Sequence, residues 1–156
     1  MLSSFKKSQQ NGHLKMHKKE IIAEEPLVQI PPGEYQAVCK KAVYKFCQGG
    51  DKRLFIEFVI IEGKFAGVQL FMVCPTPSGK LRMRHKLYNQ WSIVLGRIPH
   101  KGERLNTKIF EKKMYLISVR NTRKKFSGTG KIMPEFLQYS VVDVIVEVIA
   151  GAPGDA

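Results

Sequence analysis

Three successive stretches between Glu34 and Cys74 carry the apolar patterning of β-strands, each closed by turn-forming residues. From Tyr35 to Phe46 the alternation is imperfect: Tyr35, Ala37 and Cys39 fall on one side, and Val38, Ala42, Tyr44 and Phe46 on the other. Gln48-Gly49-Gly50-Asp51 follows with the composition of a tight turn, which predicts a hairpin. Leu54 to Ile61 is a nearly continuous β-branched and aromatic run ended by Glu62-Gly63-Lys64. Val68 to Cys74 is a third run, ended by Pro75-Thr76-Pro77-Ser78-Gly79. The pattern predicts a three-stranded meander.

The period then changes. Met83, Leu87, Trp91 and Leu95 recur every four residues, Tyr88 and Val94 widen the stripe, and Gly96 and Pro99 stop it. This spacing predicts a helix over 80–95 whose apolar side, Trp91 included, packs on the sheet. Its other face shows Arg82, Arg84, His85 and Lys86. Cations in the first turns of a helix oppose its macrodipole, at roughly a few tenths of a kcal/mol each, so their presence points to a role other than stability. A basic connector with Arg97, His100, Lys101 and Arg104 leads to a fourth strand from Met114 to Asn121, where Tyr115, Ile117 and Val119 alternate with Leu116 and Ser118. A last strand is predicted from Phe136 to Ile149. Between them, 121–131 is too polar and glycine-rich to pack, is densely basic, and holds Phe126 at its centre, the composition of a binding loop. Residues 1–30 read as a basic, flexible arm joining the fold near Pro31-Pro32-Gly33, and 151–156 as a loose end.

Composition sharpens this outline. At 156 residues the chain accommodates one core and a tail. Its 26 Lys and Arg against 13 Asp and Glu leave a formal charge of +13, which calls for a polyanionic partner. Nucleic acid leads; an anionic membrane surface or a strongly acidic protein satisfies the same arithmetic. From Lys80 to Lys131 there are fifteen Lys or Arg and two acids, so the surplus sits on a helix start, a connector and a loop, as a footprint would. Cys39, Cys47 and Cys74 form no C-x-x-C pair, lie in or beside apolar runs, and read as small buried hydrophobes in a reducing compartment. No run approaches the ~18 apolar residues of a spanning helix and no secretory h-region opens the chain, so a cytoplasmic protein away from membranes is expected. His13 and His17 lie four apart, as a helical metal pair needs, but no Asp, Glu or Cys follows at a suitable spacing, and they read as solvated.

Strand, strand, strand, helix, strand, strand is the order of an OB-fold, a five-stranded Greek-key barrel with one helix between strands 3 and 4; residues 31–150 would form it. In that fold nucleic acid crosses strands 2 and 3, flanked by the loop after strand 1 and the loop between strands 4 and 5, here Gln48 to Lys52 and Asn121 to Lys131. The second is the basic, Phe-bearing loop singled out by composition. Pro32-Gly33-Glu34-Tyr35, the Gly63 to Leu70 turn and strand, a helix carrying Trp91, and Tyr139-Ser140 before the final strand extend the parallel over most of the domain. In these features the chain resembles the small OB-fold single-stranded DNA-binding proteins of phages, plasmids and mobile elements. That resemblance implies a part in DNA replication, DNA recombination or transfer, alongside other proteins of those processes, and assembly into homo-oligomers through strand edges or the sheet exterior. Gly151 to Ala156, with Asp155 as its one acid, departs from the acidic tail of the housekeeping members.

The expected mechanism is physical: Lys and Arg neutralise phosphates and aromatics stack on bases, with little sequence preference. Candidate stacking residues are Tyr44, Phe46, Phe55, Phe71 and Phe126. Candidate phosphate contacts are Arg53, Arg82, Arg84, Lys86, Arg120, Arg123, Lys124 and Lys125. No catalytic constellation, metal or cofactor is expected. Ser78-Gly79-Lys80-Leu81 lacks both the first glycine and the Ser or Thr of a phosphate-binding loop, and the acids are scattered singly apart from Glu24-Glu25. The rival readings are an RNA-binding OB protein and a basic module docking on an acidic protein partner.

Overall fold

The structure, a computed structural model, describes residues 20–123 and 128–151. Five strands form one antiparallel sheet: β1 (Gly33–Phe46), β2 (Lys52–Ile60), β3 (Gln69–Pro75), β4 (Lys113–Asn121) and β5 (Ser140–Gly151). Among the described residues there is one α-helix, α1 (Lys86–Leu95), which lies between β3 and β4. The sheet runs in the order β3-β2-β1-β4-β5 and is open: β3 and β5 come close without a ladder joining them among the described residues.

The meander forms as its pattern dictates, with one change of phase. The β1–β2 register slips between Cys39 and Lys41, so Lys40 is an inserted residue opposite no partner. The bulge reverses the alternation, and Ala37, Cys39 and Ala42 all point into the core. Tyr44, opposite buried Leu54, shares their parity. The expected split, with Ala42, Tyr44 and Phe46 facing away from Ala37 and Cys39, is therefore corrected. A strict two-residue period cannot cross an inserted residue.

The core is built from alternate positions of the strands: Leu54, Ile56, Phe58 and Ile60 of β2, Leu70, Met72 and Cys74 of β3, Tyr115, Ile117 and Val119 of β4, and Val142 and Ile145 of β5. Tyr115 meets Phe58 edge-on with ring centroids 5.9 Å apart, and its buried hydroxyl donates to the Phe110 carbonyl at 2.7 Å. Three register slips along β4–β5 leave Val146, Val148 and Ile149 exposed despite their apolar character.

α1 begins at Lys86, six residues later than its stripe predicted. Arg82 and His85 instead close a turn, with the His85 amide donating to the Arg82 carbonyl at 2.9 Å and the Arg82 amide donating to His85 Nδ1 at 2.8 Å. Met83, expected on the packed side, is 64% exposed. The cations that oppose a helix dipole thus mostly lie ahead of the helix, and the local conflict is removed by unwinding its first turns. Gly96 ends α1 at φ 75°, its amide and that of Arg97 closing on the Ser92 and Ile93 carbonyls. Leu87, Trp91 and Val94 enter the core together with Gln90, whose Oε1 accepts from the Ile145 amide at 2.6 Å.

β5 begins at Ser140, not Phe136. Pro134 opens a short 3-10 turn, Glu135–Leu137, whose i→i+3 bonds consume the donors that a strand would have offered its neighbour. The N-terminal segment joins the fold ahead of Pro31: Ile30 is buried, and its amide donates to Ser140 Oγ at 2.7 Å.

Gln90 is the one buried polar side chain of α1 and accepts from a β5 amide. Gln90→Leu, which keeps the volume and removes the acceptor, is expected to lower unfolding free energy by about 1–3 kcal/mol with an unchanged urea m-value. A loss below about 0.5 kcal/mol in urea titration would show the bond to be dispensable.

Candidate nucleic-acid interface

The face of β1–β2–β3 turned away from the core is fixed by the strand registers. Reading across it, Lys45 lies beside Arg53 and Pro75, Val43 beside Phe55 and Val73, and Lys41 beside Glu57 and Phe71. Cations and aromatics therefore interleave on one surface, and Lys45 Nζ stands 5.1 Å from the Phe55 ring centroid. This face forms the floor of a cavity of about 710 Å³ that holds Lys45, Phe55 and Phe71 and continues past Gln69. The start of β5, at Tyr139 to Val141, and the N-terminal segment from Glu25 to Val28 form its other walls.

Of the expected stacking residues, Phe55 and Phe71 lie in this cavity; of the expected phosphate contacts, Arg53 is exposed on the same face. Tyr44 and Phe46 do not line it. The Lys40 bulge puts Tyr44 on the core side of the β1–β2 hairpin beyond the end of the core, where Lys52 Nζ covers its ring at 4.3 Å. Phe46, 78% exposed, lies two pairs further out, opposite Lys52. Arg82 and Arg84 are exposed in the turn before α1 and Lys86 is half-buried in its first turn; none of them lines the cavity. Arg120, on the outer face of β4, is paired with Asp143 at 3.0 Å. Arg123 is exposed just beyond β4, and Lys124, Lys125 and Phe126 lie outside the described residues, as do His13 and His17.

The stem of the β4–β5 loop nevertheless ends at the cavity. The Thr122 amide donates to the Tyr139 carbonyl at 2.8 Å and the Tyr139 amide donates to Thr122 Oγ1 at 3.1 Å. Tyr139 itself lines the cavity. Within the same loop Phe136 is 80% exposed on its 3-10 turn. Sequence reasoning passed over Lys45, Tyr139 and Phe136. The signal for Lys45 was its place opposite Arg53 in a hairpin register; for the two aromatics it was Pro134, which separates them from a strand.

The connector contributes less free charge than its composition suggests. Arg97 grips Glu103 with both terminal nitrogens, at 2.8 and 2.9 Å, and the His100 amide donates to the same carboxylate at 2.8 Å. The Arg97 hydrogen bonds, followed by that of His100, hold the Glu103 carboxyl down at about 2, against an ordinary value of 4.5. Its contribution to folding is therefore complete above about 4.5 and is lost as the pH falls through about 2.

Cys39 and Cys74 are buried, and burial pushes their thiols up to about 12 and about 11. Cys47 is half-buried beside the hairpin turn, short of the full burial expected of it. Among the described residues no group of three or more His, Cys, Asp or Glu comes together, and no helix is long and apolar enough to cross a membrane. No protein-family model matches the sequence, and no curated protein matches it significantly.

The thiols differ enough for a chemical check on the hairpin. Iodoacetamide at neutral pH is expected to alkylate Cys47 in the native protein, with Cys39 and Cys74 reacting only after denaturation. Peptide mass spectrometry reads the sites, and native-state alkylation of Cys39 at the rate of Cys47 would contradict the packing of β1.

Proposed function

We propose that the chain is an OB-fold protein that binds single-stranded DNA without strong sequence preference, in replication, recombination or transfer of DNA, after the manner of the phage, plasmid and mobile-element proteins it resembles. The observation that carries this reading is the placement of Phe55 and Phe71 in one groove with Lys45, beside Arg53 and on the face of β2 and β3. Bases stack on aromatic faces for about 1–3 kcal/mol each, and flanking cations neutralise the phosphates between them. Aromatic rings on an open groove suit an unpaired strand, whose bases are free to stack on them, better than a duplex, whose bases stack on one another.

The barrel topology is part of the proposal. Pairing of β1 with both β2 and β4, and of β4 with β5, leaves β3 and β5 as the edges that closure must unite, and these edges approach each other. The helix falls between β3 and β4, as an OB-fold requires. The loop stem at Thr122 and Tyr139 lies at the groove, which Tyr139 lines. In this reading Lys124 and Lys125 contribute phosphate contacts and Phe126 a stacking ring.

Fluorescence anisotropy of a labelled single strand, against a duplex and an RNA of equal length, tests the proposal at low and moderate salt. Single-strand preference is expected, with Phe55→Ala and Phe71→Ala each weakening binding by about 1–3 kcal/mol. Lys45→Ala and Arg53→Ala are expected to reduce the salt slope by about 0.7 each. Equal affinity for RNA would move the assignment to an RNA-binding protein. Equal duplex binding, or variants that bind as the wild type does, would overturn stacking. No binding of any nucleic acid at low salt would leave the groove to an acidic protein partner.

A further inference from the structure

From Glu20 to Gly33 the charged residues are Glu20, Glu24 and Glu25, an acidic stretch in a chain of net charge +13. Its C-terminal part borders the groove. Glu25, Pro26, Leu27 and Val28 line the cavity together with Lys45 and Phe71, so an acidic residue and a short apolar run form a wall over the aromatic floor.

The hold on this stretch is uneven. At its C-terminal end the Ser140 amide donates to the Val28 carbonyl at 2.8 Å, Gln29 Nε2 donates to the Glu135 carbonyl at 3.2 Å, and the Ile30 side chain is buried. Ahead of Val28, no hydrogen bond or ion pair ties Glu20 to Leu27 to the rest of the described residues. Leu27 is 64% exposed although it lies in an apolar cavity. The segment is thus hinged at Val28 to Ile30 and free to leave the groove without breaking a hydrogen bond, which makes its departure cheap compared with opening any strand.

We infer that Glu20 to Leu27 is an autoinhibitory strap: it brings Glu25 and an apolar Pro-Leu pair to the edge of the platforms and cations of the groove, with Glu20 and Glu24 adding negative charge next to it in sequence, and single-stranded DNA must displace it to bind. The inference rests on the DNA-binding reading of this groove. The strap resembles the ligand chemically, with negative charge for the phosphates and apolar surface for the bases. Its carboxylates repel an incoming strand over about the ~10 Å Debye length of 0.1 M salt. A groove open for only a fraction of the time binds with its intrinsic affinity reduced by that fraction. Weakening the strap therefore raises apparent affinity with no new contact to DNA.

The test uses the full chain. Glu24→Gln/Glu25→Gln is expected to bind a thymidylate oligonucleotide at least roughly 5-fold more tightly than wild type at low salt, by an amount that shrinks as salt rises, with an unchanged melting temperature. In parallel, Leu27→Cys in a Cys47→Ser background carries a polarity-sensitive fluorophore, whose emission is expected to shift to the red when the oligonucleotide is added. Binding by the double variant where wild type binds weakly or not at all, with the red shift, supports the strap. If wild type binds and the variant binds equally or less tightly, the strap is overturned while the groove assignment stands. Tighter binding with an unmoved fluorophore overturns displacement, leaving long-range repulsion alone. If neither chain binds single strands at low salt, the DNA-binding reading and the strap fall together.

Discussion

The bulge at Lys40 is the constraint on which the rest of this structure depends. β1 is the central strand, paired to β2 along one edge and to β4 along the other, so its phase sets the phase of the whole sheet. Were Lys40 paired in a regular ladder instead of bulged, Ala42 would leave the core and Lys41 and Val43 would turn into it, burying a lysine beneath β2. With the bulge, Ala37, Cys39 and Ala42 fill the inside in sequence, and Lys45 emerges beside Arg53 and Phe55. The slip also frees the Cys39 carbonyl to accept from the Lys112 amide at 2.9 Å, which guides the chain into β4. One extra residue thus shapes the groove face and positions the strand on the other side of the sheet.

Ser140 does comparable work at the far edge. Its buried hydroxyl accepts from the Ile30 amide at 2.7 Å and reaches the Ile30 carbonyl at 3.2 Å and Asn121 Oδ1 at 3.3 Å. Three parts of the chain meet there: the N-terminal segment, the end of β4 and the start of β5. A serine suits the position because its hydroxyl both donates and accepts. The groove wall is therefore fixed by polar groups that a hydrophobic-pattern reading does not weigh.

The strands, their order and the core role of Trp91 were legible in the sequence because they follow from periodicity and from Gly and Pro punctuation. The outward facing of Phe55 and Phe71 was legible because β2 and β3 keep strict alternation, so burial of Leu54, Ile56, Leu70 and Met72 forces their neighbours outward. The facing of Tyr44 and Phe46 relative to Ala37 and Cys39 was not, for the complementary reason: an inserted residue leaves no mark on composition. The helix start was hidden because the stripe through Met83 continued where Arg82 to His85 preferred a turn, a balance of capping and dipole that periodicity does not measure. The wall formed by Glu25 to Val28 was not legible at all, since it depends on contacts across more than a hundred residues of sequence.

The positive charge divides into two tiers with different physics. The surplus between Lys80 and Lys131 equals the whole net charge of +13, yet none of Arg82, Arg84, Lys86 or Arg123 lines the groove, and Arg97 and Arg120 are occupied by Glu103 and Asp143. Lys45 and Arg53, on the groove face, come from the part of the chain where charges cancel. A cation outside a groove still acts on a polyanion within about a Debye length, raising its local concentration and its rate of arrival, but it does not set the pose. A cation beside an aromatic does set the pose, because it fixes a phosphate at one base step from the stacking ring. Under the proposed function the outer tier therefore governs how fast and how salt-sensitively a strand is captured. The inner tier, with Phe55 and Phe71, governs which kind of strand is kept. The acidic strap acts on the boundary between them, where capture becomes binding.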